Sequence, residues 1–287
     1  MWVGLAVLIG VLNMSRLWWS GALPMAALSG ALVMTGCSST TQGGATGVDR
    51  RQLLLVSSEQ VNQLSAQSYQ QDLAKARAAG VLDRDAAMLQ RLKNIANRLI
   101  PQVSQFRPDA RGWSWEVHTT TSNELNAYAA PGGKIMFYTG IVTRLSLTDD
   151  EIAAIMGHEM AHAVREHARE RLSRDYAQQA GLGLLASAVG LTEGQTQMAG
   201  MAAQLGLGLP HNRAQESEAD TLGVELMARA GYNPQAAISL WQKMQKASQG
   251  EPPQFLSTHP STSDRLTRIG AILPRVTPLY QQAIRRG

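Results

Sequence analysis

The run His158-Glu159-Met160-Ala161-His162 places two imidazoles and a carboxylate within five residues. On a helix the two histidines share a face, about 6 Å apart along the axis, so both rings can reach one ion. Glu159 is rotated off that pair yet close enough to address a water on the ion. The chemistry this suits is metal-assisted hydrolysis. An open catalytic zinc takes three protein ligands and keeps a fourth position for water. The single cysteine, Cys37, excludes a cysteine-type zinc site, so the third ligand must be His or carboxylate. The best candidate is Glu216, in Arg213-Ala214-Gln215-Glu216-Ser217-Glu218-Ala219-Asp220. Glu216 and Asp220 share a helix face, so one can ligate while the other accepts a ring N–H from a ligating histidine. Glu218 is expected to point elsewhere.

These residues need helices to hold them. Thr148-Asp149-Asp150-Glu151 reads as a capping box opening the helix of the pentad, with Ile152, Ile155, Met156 and Ala163 as its apolar residues. Two helical patterns occupy Ser57 to Val103, the second carrying Leu89, Leu92, Ile95, Ala96 and Leu99 before Pro101 stops it. Short alternating runs, Trp113 to Val117 and Lys134 to Tyr138, together with Pro131-Gly132-Gly133, predict a small sheet with a tight turn. Helices dominate after Thr148, with Gly231 ending one and Pro234 beginning the next. The fold class is α+β, mostly α. Residues 174–209 read as two amphipathic helices beside the site, with a gate over the cleft as the sharper possibility. Residue His167 lies five positions past His162, about 140° around a continuous helix, and is expected to be structural. Neither His118 nor His211 has a partner at ligand spacing.

With these motifs in order, the chain after about Ser57 resembles peptidase family M forty-eight, the gluzincin zinc metalloproteases. The resemblance rests on Asn126-Ala127-Tyr128-Ala129-Ala130-Pro131-Gly132-Gly133, the pentad, Glu216-Ser217-Glu218-Ala219-Asp220, and Ser257-Thr258-His259-Pro260 followed by Arg265. It implies a gluzincin-type domain with a small sheet and an active-site helix. It also implies one zinc per chain held by His158, His162 and Glu216, with Glu159 as general base toward a zinc-activated water. Asp220 and Arg213 would support the ligands. His259 would steady the oxyanion or cap the metal at rest. The strand Asn126, Ala127, Tyr128 and Ala129 would hold an extended substrate through its backbone.

The composition, 44% apolar and 17% charged, fits a packed core and excludes a disordered chain. The net charge of +4 is spread along the sequence, with no basic run interleaved with aromatic residues, so no nucleic-acid partner is expected. Residues 1–36 read as a signal peptide in which Leu32-Val33-Met34-Thr35-Gly36-Cys37 resembles a bacterial lipobox with Cys37 as the lipidated residue. Translation starting at Met14 would give a more usual charged start. Residues 37–56 are expected to be a flexible tether, and 57–287 a single metalloprotease domain. These readings predict a lipid-anchored zinc endopeptidase on the periplasmic side of the outer membrane, acting on unfolded or misassembled envelope proteins. A secreted or inner-membrane-anchored protein is the alternative location. The alternative function is a membrane-tethered chaperone or outer-membrane assembly factor with a gated, low-activity zinc site.

Overall fold

The computed structural model describes residues 37–188, 212–249, 253–260 and 264–286. The chain divides into two units, Met1–Cys37 and Ser38–Gly287. The expected signal peptide, His211 and residues 189–209 of the 174–209 segment lie outside the described residues.

Helix α1 (Ser58–Ala78) opens with Ser57 and Gln60 in a reciprocal capping box, and α2 (Ala86–Leu99) is capped by Asp85. The α-helix ends at Leu99, just before Pro101 as expected, but the chain continues in a tighter helical turn. Pro101 sits at the start of this 3-10 turn, Ile100–Gln105, where its missing N–H is harmless.

Strands β1 (Glu116–Thr120), β2 (Ala127–Ala130) and β3 (Lys134–Tyr138) form one sheet in the order β1-β3-β2. The first strand is displaced from the expected Trp113–Val117, because Trp113 and Trp115 stack on each other at 5.7 Å and Trp115 donates its indole N–H to the Ala110 carbonyl. Strand β1 runs parallel to β3, with Glu116 opposite Lys134 and Thr120 opposite Tyr138. Strand β2 is antiparallel to β3, from Ala127 opposite Phe137 to Ala130 opposite Lys134, and Pro131-Gly132-Gly133 makes the turn between them. Alternation sends Val117, Ala127, Ile135 and Phe137 into the main core, while Tyr128, Met136 and Tyr138 meet Tyr69 and Leu73 of α1. The sheet is thereby covered on both faces, and β2 keeps one edge free of strand pairing among the described residues.

A short α3 (Thr139–Arg144) leads to α4 (Asp149–Val164), which opens with the expected Thr148–Glu151 capping box. Every residue of α4 from Glu151 to Val164 is buried. A helix buried all round this way sits at the centre of the molecule rather than on its surface. Its polar side chains, His158, Glu159 and His162, are therefore buried and need internal partners. Helix α5 (His167–Ala188) follows after a break at Arg165 and Glu166, where Glu166 takes φ +51. Helices α6 (Arg213–Arg229), α7 (Ala236–Ala247), α8 (Gln254–Thr258) and α9 (Arg265–Ile284) complete the unit. Gly231, at φ +76, ends the α6 region in the left-handed conformation that glycine tolerates.

The stretch 37–56, expected to be a flexible tether, is instead stitched into the core from Ser39 onward. The fully buried guanidinium of Arg165 donates to Ser39, Thr41 and the Arg50 carbonyl. Gln52 donates to the Arg165 carbonyl at 2.7 Å. The buried Glu225 carboxylate accepts from the backbone N–H groups of Ala45 and Thr46, both at 2.8 Å, and from the Thr46 hydroxyl at 2.7 Å. A polar, glycine-containing segment can be fixed when its donors answer buried charges, even with little apolar surface of its own.

Candidate metal centre

Helices α4 and α6 cross with almost no side chain between them. A Cβ on Gly157 would lie 2.8 Å from the Gly223 carbonyl oxygen, and one on Gly223 would lie 2.7 Å from the His158 nitrogen. This close approach brings the acidic face of α6 against the histidine face of α4.

Four side chains converge there: His158, His162, Glu216 and His259, each offering one ligand atom, all within 4.8 Å of one another and all buried. His158 Nε2 lies 3.1 Å from His162 Nε2, 3.2 Å from His259 Nδ1 and 3.5 Å from Glu216 Oε2. Glu216 Oε1 lies 3.3 Å from His162 Nε2 and 3.1 Å from His259 Nδ1. Donors about 2 Å from a tetrahedral zinc are roughly 3.3 Å from each other, so the spacing suits such an ion. His259 takes the fourth corner, carried by the loop after α8 and stacked on Phe255 at 4.5 Å.

The surrounding charges make the same case. Glu159, Glu216 and Asp220 are all buried, and the Arg265 guanidinium lies against Glu216 and Asp220. Burial alone would lower the His158 pKa, but the hydrogen-bonded Asp220 and Glu216 carboxylates push it up to about 9. Charges that draw a proton onto an imidazole in this way suit a cation. Burial opposes ionisation of Glu216, yet bonds from His158, His162 and His259 hold it far below the carboxylate range.

Asp220 Oδ1 lies 3.0 Å from His158 Nδ1, so it can accept that ring N–H and leave Nε2 facing the cluster. Arg213, expected beside the ligands, lies elsewhere. It is exposed at the start of α6, and the cation beside the acidic pair comes from α9. Arg265 donates to Glu216 Oε2 at 2.7 Å and to both Asp220 oxygens at 2.7 and 2.9 Å. Its guanidinium lies 3.5 Å over the Trp241 ring, which also meets His158 edge-on at 5.8 Å. In the sequence Arg265 stands only as the residue that follows the Ser257–Pro260 motif; the packing of α9 on α6 gives it the place expected of Arg213.

Glu159 lies between this cluster and β2. Its Oε2 accepts the Ala129 N–H at 3.2 Å, and Oε1 lies 3.3 Å from His259 Nε2 without a hydrogen bond. Burial raises its carboxyl above the usual range, against the opposing influence of His259 and His158. A carboxylate raised in this way holds a proton more readily than an exposed one, as a general base must. The Ala129 contact also shows which way β2 faces: Ala127 and Ala129 turn backbone groups away from β3, while Asn126 uses its carbonyl to pair with Tyr138. The Tyr128 side chain leaves the site, its hydroxyl donating to Asp72 at 3.0 Å. Beyond Asn126 the same strand end opens on a polar cleft of about 720 Å³ lined by Ser122, Asn123, Glu124, Arg144 and Gln254.

The sequence profile of peptidase family M48 matches residues 86–273, a stretch that contains the sheet, the pentad, Glu216 and His259. The chain belongs to peptidase family M48. That family is one of peptidases. The mitochondrial metalloendopeptidase OMA1 of Schizosaccharomyces pombe is 35% identical over 162 residues, covering 56% of this chain and 47% of its own length. Metalloprotease LoiP of Escherichia coli is 27% identical over 249 residues, covering 85% of this chain and 94% of its own. The beta-barrel assembly-enhancing protease of Yersinia pestis is 26% identical over 201 residues, covering 67% of this chain and 40% of its own. The chain thus spans about half the length of the M48 relatives named OMA1 and nearly all of LoiP. Among the described residues no helix is long and apolar enough to cross a membrane.

Proposed function

We propose that this chain is a zinc-dependent endopeptidase of the cell envelope that cleaves unfolded or misassembled proteins. The observation that carries the reading is the position of Glu159: buried, with Oε1 lacking a hydrogen-bond partner among the described residues, between the ligand cluster and the free edge of β2. Zinc held by His158, His162 and Glu216 would supply a Lewis acid that acidifies water and polarises a peptide carbonyl. Glu159 then takes the proton at Oε1 and passes it to the leaving amine. His259, whose Nε2 faces Glu159, has a ring N–H available to the oxyanion once it leaves the cluster. An extended segment donating to the outward carbonyls of Ala127 and Ala129, and taking over the N–H groups now bonded to Asn126 and Glu159, would be held irrespective of its side chains, which suits unfolded clients.

The lipobox resemblance at Cys37 supports anchoring on the periplasmic side of the outer membrane, and a relative named for beta-barrel assembly fits an envelope setting. Because the packed chain begins at Ser39, a lipid on Cys37 would leave almost no slack, and the catalytic body would work close to the bilayer surface.

A second reading, an assembly factor with a gated zinc site, is favoured by His259 Nδ1 at the fourth corner of the cluster. Zinc content and cleavage of an unfolded protein, measured in parallel with Glu159→Gln and His259→Ala, separate the two. One zinc per chain, with cleavage abolished in Glu159→Gln and reduced in His259→Ala, supports the protease. Client rescue that survives Glu159→Gln, with cleavage rising in His259→Ala, supports the assembly factor. A protein that binds no zinc defeats both.

A further inference from the structure

Glu218 does not point away from the metal centre, and His167 is not turned from it. Helix α4 ends at Val164, so the helical-wheel angle between His162 and His167 does not apply across the break at Glu166. The start of α5 swings His167 back until its Nδ1 lies 2.8 Å from His162 Nδ1, with the rings 4.8 Å apart and edge-on. Its Nε2 lies 3.0 Å from Glu218 Oε2. Both rings are buried.

We propose that His167 and Glu218 form a positioning pair that fixes the ring and proton of His162 for metal binding, the counterpart of Asp220 at His158. The inference rests on the metal reading above, and its logic is donor and acceptor arithmetic. For His162 to ligate through Nε2, its proton must sit on Nδ1. That N–H is then directed at His167 Nδ1, 2.8 Å away, which accepts it as a bare nitrogen. The His167 proton therefore sits on Nε2, where the Glu218 carboxylate, an acceptor only, receives it. A His167 protonated on both nitrogens would donate to His162 Nδ1, drive the His162 proton to Nε2 and block the ligand atom.

Glu218 is itself held in place from two directions. Arg165 donates to Oε2 through Nε at 3.1 Å and Nη2 at 2.9 Å, and Arg50 reaches Oε1 through its Nε. The N-terminal segment carrying Arg50 thus belongs to the support of the metal centre. All three carboxylates of Glu216-Ser217-Glu218-Ala219-Asp220 then have a role toward the ion: Glu216 ligates, and Asp220 and Glu218 each set one histidine.

The test combines histidine nitrogen NMR on the zinc-loaded full chain with zinc titration against a competing chelator. The spectra should show His167 neutral with its proton on Nε2; an imidazolium, or a proton on Nδ1, overturns the proposal without any variant. His167→Phe, which removes both bonds, should bind zinc about 10 to 100-fold more weakly. His167→Gln, whose amide can accept from His162 and donate to Glu218, should recover most of that loss. Zinc binding by His167→Phe as tight as in the natural protein, or no recovery in a folded His167→Gln, overturns the proposal. If His167→Phe does not fold, the tautomer alone decides. Absence of zinc from the natural protein is a different failure, that of the metal reading itself.

Discussion

Gly157 and Gly223 face each other where α4 crosses α6, so close that a Cβ on either would press into the other helix's backbone at 2.7 to 2.8 Å. The obstacle is main chain, which cannot rotate aside, so Gly223→Ala must push the helices apart. Overpacking of this kind costs about 1–3 kcal/mol. The same shift would carry Glu216 and Asp220 away from His158 and His162. We expect Gly223→Ala to lower the melting temperature and the zinc content together. Gly270→Ala in α9, where nothing lies within 4 Å of the added Cβ, is the control and should not destabilise. Full zinc binding by Gly223→Ala would show that the crossing distance does not set the site.

Arg265 holds two carboxylates at once and is 99% removed from solvent. Truncation would leave Glu216 and Asp220 buried side by side without their cation. The zinc-free protein should lose roughly 3–5 kcal/mol in Arg265→Ala, the scale for breaking a buried ion pair. Arg265→Lys should recover less than half, because an ammonium can neither fork across both acids nor lie flat on Trp241. Urea unfolding with a chelator present measures both; equal recovery by lysine would reduce the role of Arg265 to its charge.

The helix of the pentad and the acidic face of α6 were legible because both are local: a capping box and a four-residue spacing survive whatever the rest of the chain does. What depended on events between elements was not legible. The break at Glu166 re-aimed His167, and nothing in the local pattern announces a non-glycine residue at φ +51. Arg265 reads in the sequence only as part of the motif after His259, and its reach to Glu216 across the fold gives it the place expected of Arg213. The polar stretch after Cys37 looked too poor in apolar surface to pack, yet Arg165 and Glu225 fix it from inside. Both partners lie more than a hundred residues away.

That last attachment can be cut at one atom. Glu225 is fully buried and accepts from Ala45, Thr46 and Arg229. In Glu225→Gln the amide keeps the shape but loses the charge and offers a donor where two backbone N–H groups need acceptors. The expected loss is roughly 2–3 kcal/mol, with new protease cleavage between Ser39 and Gln52. Unchanged protection of that stretch would mean that Arg165 alone holds it.

Acid should release the same segment through Glu170. Burial by itself would raise the pKa of this carboxyl, but the Arg50 guanidinium, Gln215 and Gln52 bond to it and hold it down at about 2. Its folded value lies below its unfolded value, so folding is favoured while the group is ionised in both states, above about pH 4.5. That contribution fades as pH falls from 4.5 toward 2, as the unfolded chain takes up a proton that the folded chain resists. Glu170→Gln cannot titrate, so its urea midpoint should be lower than that of the natural protein at pH 6, with the difference narrowing at pH 3. Parallel midpoints at both pH values would show that Glu170 does not contribute to the acid response.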